Sequence, residues 1–64
     1  MSTENLRERV LDLLQRTNTE MSNMDIASSL DERPARVYNM LMTLALEQLV
    51  VFDPKTRLFR SKTS

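Results

Sequence analysis

A proline that follows three charged residues divides the middle of this chain into two helical segments. The residues concerned are Asp31-Glu32-Arg33-Pro34. The residue before a proline is disfavoured in the helical conformation, whereas proline itself fits the first turn of a helix. We therefore expect one helix to end near residue 30 and another to begin at Pro34. Any fold available to the chain must join these helices by a turn of about three residues.

The segment before this turn predicts a short helix from about residue 23 to residue 30. Ser22 and Asp25 have the spacing of a capping box, in which a serine and an acidic residue satisfy the first N–H groups of a helix. The apolar residues that follow are Ile26, Ala27 and Leu30. A helix of about two turns is not stable alone in water, so another element must pack against it.

A longer amphipathic helix is predicted near the N-terminus, from about residue 4 to residue 16. Its apolar residues recur at helical spacing and define one face. They are Leu6, Val10, Leu13 and Leu14. We expect Ser2 or Thr3 to cap its start, and Asn18 to adopt the left-handed conformation at its end.

The third helix is predicted from Pro34 to about residue 48, and its sequence is followed by a change of periodicity. Val37, Leu41 and Leu44 have helical spacing and are expected to face the core. From about residue 49 to residue 60 the chain instead predicts a β-hairpin. Its parts are a β-branched and aromatic run, Leu49-Val50-Val51-Phe52, a turn, Asp53-Pro54-Lys55-Thr56, and an alternating run, Arg57-Leu58-Phe59-Arg60. The tail from Ser61 to Ser64 is expected to fray.

Composition limits the chemistry that such a chain can perform. The 64 residues include no cysteine, histidine or glycine, which excludes disulfides, thiol nucleophiles, imidazole bases and glycine-rich phosphate loops. We therefore expect no enzyme activity, no metal, no cofactor and no small-molecule substrate. No apolar run is long enough to span a bilayer, so we expect no membrane association and a cytoplasmic location.

Together these elements predict one α+β domain over residues 1–64, mostly α, with three helices and a C-terminal two-stranded β-hairpin. Two short helices joined by a tight turn form a helix-turn-helix unit. The residues that carry a family resemblance are Ser22-x-x-Asp25-Ile26-Ala27-x-x-Leu30, then Val37-x-x-x-Leu41-x-x-Leu44, then Leu49-Val50. This pattern resembles the winged helix-turn-helix domains of MarR-like and pilus-operon-type bacterial regulators. It departs from them at Gln48, where such sequences usually carry a glycine that ends the recognition helix.

The resemblance implies a prokaryotic or phage transcriptional regulator that binds double-stranded DNA. In this family the third helix enters the major groove and the hairpin, called the wing, lies on the phosphate backbone. On the third helix the corresponding candidates are Arg33, Arg36, Tyr38 and Asn39, and on the wing they are Lys55, Arg57 and Arg60. Arginine can pair with guanine and asparagine with adenine, whereas wing cations suit phosphates.

The distribution of charge favours the same surface. The net charge is zero, but residues 1–32 hold three basic and seven acidic residues, and residues 33–64 hold six basic and two acidic ones. Five of those six basic residues fall on the third helix or the wing. Charge segregated between two halves of a chain indicates an anionic partner.

Each candidate also has a structural interpretation that the sequence leaves open. Arg36 has the spacing to pair with Glu32, Asn39 can be an ordinary surface residue, and the Tyr38 ring can cover the edge of the core. The wing cations can serve to discourage aggregation through an exposed strand edge. The alternative function is a winged-helix module that binds another protein and not DNA.

The third helix also carries more apolar residues than a small core requires. Met42 and Leu46, with Leu11 from the first helix, are candidates for a homodimer or protein-partner interface, because exposed apolar patches usually mark contacts. The alternative is that the first helix covers the side of the third helix that carries Met42 and Leu46, as well as the side that carries Val37, Leu41 and Leu44.

Overall fold

Three helices lead into a small antiparallel sheet in the computed structural model, which describes residues 5–62. The elements in chain order are α1 (Leu6–Thr17), β1 (Met21–Ser22), α2 (Asn23–Leu30), α3 (Pro34–Leu46), β2 (Val50–Asp53) and β3 (Leu58–Ser61). The strand order is β1-β3-β2, with antiparallel neighbours. The predicted mostly helical α+β fold is confirmed, with one strand more than the two-stranded hairpin that was expected. No helix within residues 5–62 is both long and apolar enough to cross a membrane.

Helix α1 begins two residues later than the sequence pattern predicted. Asn5 is its N-cap, and the Asn5 side-chain oxygen accepts a hydrogen bond from the Glu8 N–H at 2.9 Å. The expectation that Ser2 or Thr3 caps the helix is therefore wrong, and both residues lie outside the described part of the chain. Asparagine is among the best N-cap residues and stands directly before the first apolar residue, Leu6.

The helix-turn-helix unit has the predicted bounds at three of its four ends. The Ser22 hydroxyl accepts from the Asp25 N–H at 3.1 Å and caps α2, which ends at Leu30. Helix α3 begins at Pro34 but ends at Leu46, two residues before the predicted end.

Two residues between α1 and α2 form a strand that was not expected from the sequence. Met21 pairs with Phe59 and Ser22 pairs with Leu58, which places β3 in the centre of the sheet. A two-residue strand has no periodicity to detect, because only pairing with a distant part of the chain creates it. Ser61 is the last residue of β3 and is buried, so the prediction that it frays is wrong. Thr63 and Ser64 lie outside the described residues.

The loop between β2 and β3 ends one residue later than predicted. The Arg57 N–H donates to the Asp53 carbonyl at 2.6 Å, and the Lys55 N–H donates to the Asp53 carboxylate at 2.9 Å. Arg57 therefore belongs to the loop and not to the returning strand, and its φ of 61° lies in the left-handed region. Phe59 is the buried apolar residue of β3, and its ring centre lies 4.7 Å from that of Phe52 on β2.

The core lies where the three helices meet the inner face of the sheet. The core stripes predicted on α1 and α3 are buried, as are both central apolar residues of α2. The core residues are Leu6, Val10, Leu13, Leu14, Ile26, Ala27, Val37, Leu41, Leu44, Val50 and Phe59. The outer side of α3 and the loop of the hairpin lie outside this core and are exposed.

Each helix is followed within two residues by a residue in the left-handed conformation, although the chain has no glycine to place there. Asn18, Asp31 and Gln48 have φ values of 52°, 55° and 64°. The prediction for Asn18 is confirmed. At Gln48 the N–H donates to the Ala45 carbonyl at 3.0 Å. Glutamine thus adopts the left-handed conformation that glycine most often supplies after a helix.

Candidate nucleic-acid interface

The four candidate residues at the start of α3 are all exposed. Arg33 is the N-cap of the helix, and its side chain makes no capping hydrogen bond. Arg36, Tyr38 and Asn39 follow within the first two turns, and Tyr38 is 47% exposed. The helix thus presents polar and aromatic groups to solvent at the end nearest the turn.

These side chains do not share one direction. Because successive residues are about 100° apart around a helix, Asn39 points away from the core, opposite buried Val37. Arg36 and Tyr38 lie on opposite flanks of Asn39. A partner that lies along the outer side of α3 would therefore meet Asn39 centrally, with Arg36 at one edge and Tyr38 at the other.

Arg36 forms the ion pair that its spacing allowed. Its Nη1 donates to Glu32 Oε1 at 3.3 Å, and the other oxygen, Oε2, accepts from Arg9 Nη1 at 2.9 Å. Arg9 Nη2 also donates to the Leu30 carbonyl at 2.6 Å. The Arg36–Glu32 pair was predictable from sequence. The contacts of Arg9 were not predictable, because Glu32 and Leu30 lie more than 20 positions from Arg9 in the sequence.

Two open surface depressions border the start of α3. One, of about 620 Å³, is lined by Asp31, Glu32, Arg33, Pro34 and Arg36. The other, of about 420 Å³, is lined by Asn5, Leu6, Arg36, Asn39, Met40 and Thr43. Arg36 borders both, so it lies at the boundary between the turn and the outer side of α3.

The wing candidates occupy two positions on the hairpin. Lys55 and Arg57 lie in the loop at its tip, and both are exposed. Arg60 lies within β3, where it pairs with Val51, and it is exposed between buried Phe59 and buried Ser61. The strand alternation therefore directs Arg60 to the outer face of the sheet. The tip, and not the outer face, carries two of the three predicted wing cations.

The basic residues divide sharply by whether they have an acidic partner. The three arginines of α1 are all paired: Arg7 with Glu47, Arg9 with Glu32 and Arg16 with Asp12. Four cations of the predicted DNA surface form no ion pair within residues 5–62. They are Arg33, Lys55, Arg57 and Arg60. Within residues 5–62, the positive charge without an ion pair thus lies at the start of α3, on the hairpin and at Lys62, whose Nζ donates to Gln48 Oε1 at 3.4 Å.

The apolar stripe on α3 is only partly covered. Met42 and Leu11 are partly buried and pack against the core, whereas Leu46 is 86% exposed. The interpretation that the first helix covers the whole stripe fails for Leu46 among the described residues. Leu46 lies seven residues beyond Asn39, two turns along nearly the same line of the helix.

The sequence-family model of the IclR helix-turn-helix domain matches residues 9–54, which make up more than two thirds of the chain. The matched segment contains α2, the turn and α3, together with most of α1 and the start of the hairpin. No curated protein and no solved structure matches the chain. The match supports the predicted winged helix-turn-helix class but does not confirm the narrower resemblance to MarR-like and pilus-operon-type regulators.

Proposed function

The chain belongs to the IclR helix-turn-helix domain family, and on this premise we propose how its residues contact DNA. A domain of this family is a DNA-binding domain of a transcriptional regulator. We propose that α3 enters the major groove while the wing contacts the phosphate backbone. The proposal includes a role in binding without catalysis and a location in the cytoplasm.

The observation that carries this proposal is the distribution of unpaired positive charge. Arg33 at the start of α3, and Lys55 and Arg57 at the wing tip, have no acidic partner within residues 5–62. Phosphate contacts supply most of the sequence-independent affinity of DNA-binding proteins. Cations that are held in ion pairs would first have to release their carboxylates. The unpaired ones are available at once, which favours phosphate contacts by the wing and by Arg33.

Base recognition is assigned to Asn39 and Arg36. Asn39 points directly away from the core, and an asparagine amide can pair with the N6 and N7 edge of adenine. Arg36 lies at the edge of the same surface and has the donors to pair with guanine. Tyr38 lies on the other flank, where its half-exposed ring can pack against the sugar-phosphate backbone.

The test of these assignments is selection of binding sites from a pool of random duplexes, followed by affinity measurements. Asn39→Ala and Arg36→Gln are each expected to weaken binding to the selected duplex about 5- to 150-fold, and less to a shuffled duplex. Gln15→Ala, at an exposed position of α1, is the control and is expected to change affinity little. Failure of the wild-type domain to bind any duplex would overturn the proposed function.

A protein contact through α3 is the second candidate, favoured by the exposure of Leu46. An apolar side chain that is 86% exposed contributes nothing to the core of this chain and gains from being covered. We propose that Leu46 meets a second copy of this chain, with the partly buried Met42 and Leu11 as further candidates for the interface. Sedimentation of the wild-type domain tests this proposal, since a monomer at tens of micromolar would overturn the homodimer.

A further inference from the structure

Two acidic residues lie beside the basic residues at the start of α3: exposed Asp31 and Glu32, which is ion-paired. Glu32 belongs to the turn between α2 and α3, and only a fifth of its side chain is exposed. Its carboxylate lies between two arginines, one on the core side and one on the solvent side. A carboxylate in this position opposes the approach of phosphates, so its presence calls for an explanation.

Glu32 is held in place independently of Arg36. Its backbone N–H donates to the Ala27 carbonyl at 2.9 Å, and its Oε2 accepts from Arg9 Nη1 at 2.9 Å. Arg9 is itself fixed by the Leu30 carbonyl. The remaining oxygen, Oε1, is directed to Arg36, whose side chain is 63% exposed. The anchored carboxylate is therefore a fixed acceptor for an exposed guanidinium.

The hydrogen bond from Arg36 to Glu32 leaves the Nε and Nη2 edge of the Arg36 guanidinium free of that bond. A guanidinium has five N–H donors, and the bond to Glu32 engages Nη1 alone. Nε and Nη2 remain available for the bidentate contact that guanine accepts. A base edge carries no formal charge, whereas a phosphate that approached Arg36 would also approach the Glu32 carboxylate. The pair thus favours a base over a phosphate as the partner of Arg36.

We propose that Glu32 is a positioning residue for Arg36, which raises the preference of the domain for its own DNA site over random DNA. This inference rests on the proposed function, and specifically on base recognition by Arg36. Glu32 acts in two ways: it orients the guanidinium before DNA arrives, and it lowers the gain from phosphate contacts at this point.

The test compares Glu32→Gln with Glu47→Gln, using the selected duplex and its shuffled counterpart. Both substitutions remove one negative charge. Glu32→Gln breaks the ion pairs with Arg9 and Arg36, whereas Glu47→Gln breaks the pair with Arg7 at the other end of α3. Glu32→Gln is expected to lower the ratio of the two affinities about two- to fivefold, the range of an exposed ion pair. Glu47→Gln is expected to leave the ratio unchanged. Equal effects of the two substitutions would overturn the proposal.

The same comparison in the Arg36→Gln background separates positioning from a general structural effect. In that background Glu32→Gln is expected to leave the ratio of the two affinities unchanged. A fall in the ratio as large as in the wild-type background would overturn the proposal. Should Glu32→Gln not fold, Glu32→Asp keeps the charge but withdraws the carboxylate, and an unchanged ratio in that variant would also overturn it. If the wild type and Arg36→Gln behave as proposed while Glu32 has no effect, only this inference fails.

Discussion

The N–H of Leu49 donates to the carbonyl of Leu44 at 3.0 Å, spanning the end of α3. With the bond from Gln48 to Ala45, this is the pair of hydrogen bonds that defines a Schellman motif. Strand β2 begins one residue later, at Val50. This short connection therefore fixes the direction in which the wing leaves α3, and it joins the two elements proposed to contact DNA.

Glycine at position 48 is expected to stabilise the domain. Gln48 has a φ of 64°, which costs a residue with a Cβ about 1 kcal/mol or more relative to glycine. Gln48→Gly should raise the free energy of unfolding by about 1 kcal/mol in urea titrations. Gln15→Gly is the matched control. Gln15 is an exposed residue within helix α1, where glycine lowers the free energy of unfolding by about 1 kcal/mol. A loss of stability at both positions would contradict this account of the turn.

Truncation of the core residue of α3 is expected to unfold much of the domain. Leu41 is fully buried between the helices, and Leu41→Ala should cost about 2–5 kcal/mol. Small domains have total stabilities of about 5 kcal/mol or somewhat more, so this loss is a large fraction. Thermal melting followed by circular dichroism checks the prediction, with exposed Thr43→Ala as the control. An unchanged melting temperature for Leu41→Ala would show that the core is assigned incorrectly.

The wing-tip arginine is expected to contribute affinity without sequence preference. If about four cations contact phosphate, log affinity should fall with log salt at a slope of roughly −3.6. Arg57→Gln should weaken binding to all duplexes about equally and reduce the slope by about one. Arg16→Gln is the control, because Arg16 lies on α1 and pairs with Asp12 at 3.1 Å. The same change of slope in both variants would argue against a specific role for the wing.

A polar residue at position 46 is expected to remove self-association without loss of stability. Leu46 is 86% exposed in the single chain, so Leu46→Gln removes no core contact. Sedimentation velocity at tens of micromolar should show a dimer for the wild type and a monomer for this variant. Met24→Gln is the control, because Met24 is 62% exposed on α2 and should leave the dimer intact. A dimer that survives Leu46→Gln would place the interface elsewhere.

The parts of this structure that depend on neighbouring residues were predictable from sequence, and the parts that depend on distant pairing were not. The cap at Ser22, the start of α3 at Pro34 and the buried stripe on α3 all follow from spacings of a few residues. Strand β1 exists only because Met21 lies beside Phe59. The contact of Arg9 with Leu30 likewise depends on how α1 packs against the turn.

The same division applies to the candidate site. Exposure of Arg33, Arg36 and Asn39 was predictable, since each lies off the buried stripe of α3. Which cations lack acidic partners was not predictable, because the Arg7–Glu47 pair joins residues 40 positions apart. Burial of Met42 but not of Leu46 depends in the same way on which elements pack beside the C-terminal half of α3.

The most direct test of the central claim is an NMR titration of the isotopically labelled domain with mixed duplex DNA. Binding through α3 and the wing predicts that amide shifts concentrate at residues 33–39 and 55–60, and that they diminish as salt is raised. Residues on the acidic outer side of α1, such as Glu8 and Asp12, should shift little. Shifts confined to α1, or an interaction that does not change with salt, would contradict the account and favour a protein-binding module.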